Sequence, residues 1–332
     1  MLKLLAIALP LFVASTVAGA PSIGARATAH SAGIARDGGR SAERPPVLGA
    51  NGYIEYFPGN APIIITAPHG GSLMPESIPT RADDTCGGKA TIVTDRNTLE
   101  LAKQIRESFF KRYGKYPHVI VSHLSRKKLD ANRPLEEATC GSAEAAQAFG
   151  DWHRFIETAK ADVMRDFGKG WFMDIHGHGH DIPRVEIGYL LKADSLNLSD
   201  AAINADPALR DQSSIRTAGA QKNVPLAELL RGPNALGSLF QRTGFRAVPS
   251  DKEPGPEDAK YFSAGYNTLR YGCSAGASRA GGDSSGAICG VQFETHYKGL
   301  RDTAANRERF GDATAVAVGD FLRRYFDLDL AK

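Results

Sequence analysis

The hydrophobic pattern of the chain changes character several times. Residues 4–17 are an almost unbroken apolar run, whereas 21–48 are rich in Ala, Gly, Ser and Arg and have no apolar period. From Asn51 onward, short apolar runs alternate with stretches of helical spacing. Ile63–Ala67 is β-branched and lies between Pro62 and Pro68, which predicts a buried strand. Residues 97–113 place apolar side chains at helical spacing and stop at Gly114, which predicts a helix. His118–Ser122 reads as a second strand, Ala143–Phe167 as a long helix, and 171–175 and 185–191 as further strands. Residues 194–243 read as helices broken by Pro and Gly, Tyr266–Tyr271 and 288–294 as late strands, and 303–325 as a closing helix. Strands alternating with helices predict an α/β fold on a largely parallel sheet.

Lys3, the apolar run and the small residues Ala18-Gly19-Ala20 follow the order of a secretory signal peptide, placed at 1–20. An uncleaved N-terminal anchor is the alternative. Residues 21–48 read as a flexible linker and 49–332 as one domain. Export to a secreted or periplasmic location makes disulfides permissible. Cys273 and Cys289 could staple a local loop and Cys86 and Cys140 a longer one, or all four could stay free and buried. With 40 Lys and Arg against 37 Asp and Glu, the net charge of +3 is too small a bias to call for nucleic acid or an anionic membrane. No membrane contact is expected once the leader is removed.

Six of the nine histidines fall in short polar segments that follow apolar runs. Thr66-Ala67-Pro68-His69-Gly70-Gly71 puts a histidine just beyond a strand, where open α/β sheets bind ligands. Asp174-Ile175-His176-Gly177-His178-Gly179-His180 does so again, and strand alternation sends Asp174 and His176 to one face, where Asp174 can orient the imidazole. Asp95, at a helix start, reads either as a helix cap or as an oxygen ligand. Two imidazoles and one carboxylate (His69, His176 and Asp95) would make a catalytic zinc site with a position left for water. Arg126, Asn132 and Arg133 sit together after the 118–122 strand and suit a carboxylate, because arginine forks bind carboxylates bidentately. Glu294, emerging from the last strand before His296, could be a general base. His178, His180, Arg184 and Glu186 are candidates for lining the same site.

The segments APHGG, TDRNTLELA, SRKKLDANR, DIHGHGH and FETH, in that order from residue 67 to 296, resemble the N-formylglutamate amidohydrolase family. They are also similar to the wider group of zinc carboxypeptidases, aspartoacylases and peptidoglycan amidases. The resemblance implies a three-layer α/β/α sandwich around a mixed, largely parallel sheet, with one zinc or other divalent ion. It implies His69, His176 and Asp95 as ligands, Glu294 as the catalytic glutamate, and Arg126, Asn132 and Arg133 as the elements that hold a substrate carboxylate; Arg126 is further expected to act catalytically at the oxyanion, and His178 and Arg184 to lie around the substrate. One departure is Ser72, where carboxypeptidases carry a glutamate three residues after the first histidine; Glu76 lies past a proline. The activity implied is hydrolysis by metal-activated water of the amide of an N-acyl amino acid or small acidic peptide with a free carboxylate. The alternatives are a cell-wall amidase or metallocarboxypeptidase, a non-catalytic secreted metal-binding protein, and a serine hydrolase using Ser72 or Ser125.

Overall fold

Four buried apolar runs supply the centre of one mixed sheet. The computed structural model describes residues 43–332, so the 1–20 leader and most of the 21–48 linker lie outside the described residues. The strands are β1 (Val47–Leu48), β2 (Ile54–Phe57), β3 (Ile63–Ala67), β4 (His118–Ser122), β5 (Gly170–Gly177), β6 (Val185–Gly188), β7 (Ala247–Val248) and β8 (Ile288–Thr295). Their order across the sheet is β1-β2-β4-β3-β5-β8-β6-β7. The central four, β4, β3, β5 and β8, are parallel, while β2 and β6 flank them antiparallel.

Each central strand is apolar on both faces because both are covered, as parallel sheets require. Ile63, Ile65 and Ala67 pack in one core with the helices Thr98–Tyr113 and Ala304–Tyr325. Ile64, one step out of phase, packs in the other with the helix Ala143–Phe167. On β5 the same alternation sets Trp171 against Phe321 and Phe326, with ring centroids 5.2 and 5.5 Å away, and Phe172 against Tyr271 at 5.4 Å. The result is the expected α/β/α sandwich. Ser142 caps the Ala143–Phe167 helix by accepting from the Ala145 amide, and Gly168 ends it with φ at 68°.

The structure corrects three expectations. Tyr266–Tyr271 is a helix, not a strand. Its aromatic and β-branched residues favour a strand locally, but β8 is already paired on both edges by β5 and β6. The segment instead lies across the sheet and buries Asn267, Thr268 and Tyr271. The 185–191 strand stops at Gly188, and Leu190, with φ at 65°, turns the chain away. The linker ends earlier than expected, because Val47 and Leu48 pair with Tyr56 and Glu55.

All four cysteines are bridged, Cys86 to Cys140 and Cys273 to Cys289. Two disulfides point to folding in an oxidising compartment. No helix among the described residues is long and apolar enough to cross a membrane.

Two buried histidines make the fold sensitive to acid. The His118 Nδ1 accepts from the Tyr56 hydroxyl at 2.8 Å and the Gly59 amide at 3.2 Å, so protonating it would break both bonds. Burial lowers His118 to about 4 and His153 to about 3. In the unfolded chain histidine titrates near 6.5. Below that pH the unfolded chain therefore takes up protons that the folded chain refuses, at about 1.4 kcal/mol per pKa unit of difference. Stability is fully present above about pH 6.5 and should fall as pH drops toward 4. Urea midpoints measured from pH 7 to 4.5, above the carboxylate range, should decline, and more shallowly in His118→Gln. Equal slopes for the two proteins would remove His118 from this role.

Candidate metal centre and cavity

Parallel strands bring their C-terminal ends to one edge of a sheet, and this edge collects the polar segments. His69 lies two residues beyond the end of β3, after Pro68. The two glycines after it are required by space: a Cβ on Gly70 would lie 2.4 Å from the Leu99 amide nitrogen, and one on Gly71 2.3 Å from the His123 carbonyl carbon. His176 lies near the end of β5, in register with Glu294 on β8. Asp95 is brought in by its amide, which donates to the His69 carbonyl at 3.0 Å. It does not cap the following helix; that position belongs to Asn97, with φ at 66°.

Three acceptor-capable atoms meet there. The His69 Nδ1 is 3.1 Å from the His176 Nδ1 and 3.4 Å from Asp95 Oδ2, and the His176 Nδ1 is 3.2 Å from the same oxygen. Ligands about 2.0–2.1 Å from a tetrahedral zinc stand about 3.3–3.4 Å apart. The triangle therefore has the dimensions of one face of such a site.

The far sides of the two rings point to the same reading. The His69 Nε2 donates to Asp130 Oδ1 at 2.6 Å, and the His176 Nε2 donates to Asp174 Oδ2 at 2.8 Å. With both Nε2 hydrogens engaged, both Nδ1 atoms present lone pairs to the centre, as in carboxylate–histidine–metal arrangements. Three lone pairs facing one another require a cation or a proton. Burial alone would lower His176, yet Asp174 and Asp95 outweigh it and push it up to about 10. Burial likewise opposes ionisation of Asp95 and Asp130, but the histidines hold both below the usual carboxylate range. The residues fit a divalent ion with two nitrogen donors and one oxygen donor, and that mixture suits zinc.

The centre opens into a cavity of about 520 Å³. Glu294 lines it and is pushed up to about 8, first by burial and then by Asp95 and Glu186, against the opposing pull of His176. Its Oε1 accepts from the Gln292 side chain at 2.9 Å, while its buried Oε2 has no partner, an uncommon state for a carboxylate oxygen. Arg126 gives its Nε to Asp130 at 2.9 Å and lines the cavity beside Arg133, whose side chain is 35% exposed.

Other candidates sit differently. Asn132 also reaches the cavity, but its amide is committed to the scaffold: Nδ2 donates to the Gln292 Oε1 at 3.4 Å and Oδ1 accepts from the Asn267 amide at 2.7 Å. His178 has both ring nitrogens engaged, by the Arg184 carbonyl and the His180 amide. It therefore offers no lone pair to a second ion alongside His180 and Glu186. Arg184 is not at the cavity; its guanidinium is buried against Glu253 and the Lys260 carbonyl. Ser72 is exposed. The run Gly282-Asp283-Ser284-Ser285-Gly286 has the spacing of a hydrolase elbow, but it precedes β8 and so lies at the opposite edge of the sheet.

Several supporting residues had no role assigned from sequence. Asp130 anchors His69 and Arg126 together, and only its place inside the Arg-Asn segment hinted at it. Arg301 has no motif at all. Its guanidinium donates to the carbonyls of Arg96, Thr295 and His178, each next to or two residues from Asp95, Glu294 or His176.

No protein-family model matches the chain, and no curated protein does. Among solved structures the chain is similar to an N-formylglutamate amidohydrolase from Ralstonia eutropha, at a TM-score of 0.44 and 11% identity, over 83% of this chain and 97% of that one. It is also similar to a gene product of Agrobacterium tumefaciens, at a TM-score of 0.42 and 16% identity, over 82% of this chain and 95% of the other.

If the triangle holds a metal, its outer carboxylates should matter. Asp174→Asn and Asp130→Asn should each weaken zinc binding by about 10–100-fold, measured by competition with a chromophoric chelator. Wild-type affinity in both variants would mean that the rings do not depend on these carboxylates for orientation.

Proposed function

We propose that the chain is an exported zinc-dependent amidohydrolase, cleaving the amide of an N-acyl amino acid (N-formylglutamate-like) or small acidic peptide with a free carboxylate. The observation that carries this reading is the triangle of His69 Nδ1, His176 Nδ1 and Asp95 Oδ2 beside the unpartnered oxygen of Glu294, on one open cavity. His69, His176 and Asp95 would hold the ion. When bound, zinc supplies a Lewis acid that polarises the amide carbonyl and makes water more acidic.

The remaining steps belong to the protein. Glu294 Oε2, which has no partner in the protein, would take a proton from water as its oxygen attacks the carbonyl carbon. Arg126 is held by Asp130 beside the cavity and would stabilise the oxygen that becomes negative. Arg133, the more exposed of the two, would take the substrate carboxylate and turn binding into orientation. The two disulfides and the leader-like N-terminus support export.

A cell-wall amidase or metallocarboxypeptidase is the second reading, favoured by the same export signals and the same guanidinium pair. Parallel assays on N-formyl-L-glutamate and on peptidoglycan fragments separate the two. Turnover of neither, with zinc bound, would leave a metal-binding protein without catalysis.

Two variants test the assignments. Glu294→Gln should keep its zinc and lose about 10²–10⁴-fold in kcat. Full turnover in that variant would place the base elsewhere. Arg133→Ala should raise KM for carboxylate substrates with little change in kcat, and an unaltered KM would take Arg133 out of substrate binding.

A further inference from the structure

Amide hydrolysis needs two proton movements, one away from water and one onto the departing nitrogen. Glu294 is placed for the first. The sheet carries a second candidate group in the same row. Glu294 on β8 is the register partner of His176 on one side and of Glu186 on β6 on the other. Neighbouring strands stand about 4.8 Å apart, so this row leads from the triangle past the cavity-lining Glu294 to Glu186, which lies behind the cavity-lining His180.

Glu186 is fully buried, and both of its oxygens are engaged. Oε2 accepts from the Phe262 amide at 2.9 Å, and Oε1 accepts from the His180 Nδ1 at 2.9 Å. The His180 ring is also stacked on Phe262, with centroids 4.6 Å apart and planes 25° from parallel. It is thus fixed in plane and in tautomer. Its Nε2 makes no hydrogen bond within the protein, and the residue lines the same cavity as Glu294 and Arg126. His178, two residues earlier, has both ring nitrogens engaged, whereas His180 leaves its Nε2 unused in a residue that lines the cavity. A buried carboxylate behind one ring nitrogen and an unused second nitrogen in a cavity is the arrangement that lets imidazole shuttle protons.

Resting on the amide-hydrolase reading, we propose that His180, oriented by Glu186, is a further catalytic residue: the general acid that protonates the leaving amine. Glu294 takes one proton from water as the oxygen–carbon bond forms. As the carbon–nitrogen bond breaks, its electron pair goes to nitrogen, which receives the Nε2 proton of His180 in its imidazolium form, while the Nδ1–H stays bonded to Glu186. The new carboxylic acid then returns a proton to His180, Glu294 passes its own to the free amine, and both groups are restored. The products are a carboxylate and an ammonium ion.

The experiment compares zinc-loaded wild type, His180→Gln and His180→Ala on two probes: N-formyl-L-glutamate, whose amine is strongly basic, and N-formyl-4-amino-3-nitrobenzoate, whose weakly basic amine leaves without a proton donor. Zinc content and melting temperature are recorded for each protein. The expected result is wild-type zinc content, a loss of about 100-fold or more in kcat on N-formyl-L-glutamate, and a much smaller loss on the nitro compound. Added imidazole should restore turnover in His180→Ala but not in His180→Gln. Glu186→Gln should show the same substrate split to a lesser degree. Equal losses on both probes without rescue, or no loss on either, would overturn the assignment while leaving the hydrolase reading intact. A wild-type protein that cleaves neither probe overturns the hydrolase reading, and the role of His180 with it.

Discussion

Three lone pairs directed at a single point are the constraint around which this edge of the molecule is organised. Without positive charge between them, the His69, His176 and Asp95 atoms would repel one another at 3.1–3.4 Å. The chain holds them there from behind. Asp130 and Asp174 take the opposite nitrogen of each ring, so neither ring can turn to relieve the contact without leaving a buried carboxylate unpaired. Asp174 is held in turn by the Thr66 hydroxyl at 2.5 Å across the β3–β5 pair. His176 and Asp174 are thus fixed on a strand, whereas His69, Asp95 and Asp130 stand on connecting segments that must be held by other contacts.

The cavity wall is tied together from segments far apart in sequence. Arg81 is buried and donates to the carbonyls of Glu137, Thr91 and Arg126. The Cys86–Cys140 bridge joins the same two regions a few residues away. Between them, the long connection carrying Thr91, Val93 and Asp95 is fastened to the segment carrying Arg126 and Arg133. A loop of that length would otherwise carry a large conformational entropy and deliver Asp95 imprecisely. Arg301 performs the matching task on the other side, joining three carbonyls beside the ends of β5 and β8. The geometry of the triangle depends on guanidinium groups that never touch it.

Much of this was legible in the chain before any coordinates. Hydrophobic period marks the four central strands and the three long helices, because burial on both faces leaves continuous apolar text and burial on one leaves helical spacing. The two glycines after His69 mark a place where backbone must approach backbone closely. The outer strands β1, β2 and β7 were missed, being only two to four residues long, and Tyr266–Tyr271 was misread because its composition argues against its tertiary setting.

What the chain determined alone was therefore the kinds of element, the chemistry available, and the placement of polar segments directly after apolar strands. Which of those segments meet was decided by strand order. The register β5–β8–β6 sets His176, Glu294 and Glu186 side by side although they are scattered over more than a hundred residues. It also turned Arg184 toward Glu253 and gave Asn132 a scaffold role, although both stand in promising text. Local spacing records what a side chain can do. Only long-range pairing, built from contacts that leave no periodic trace in sequence, decides what it faces.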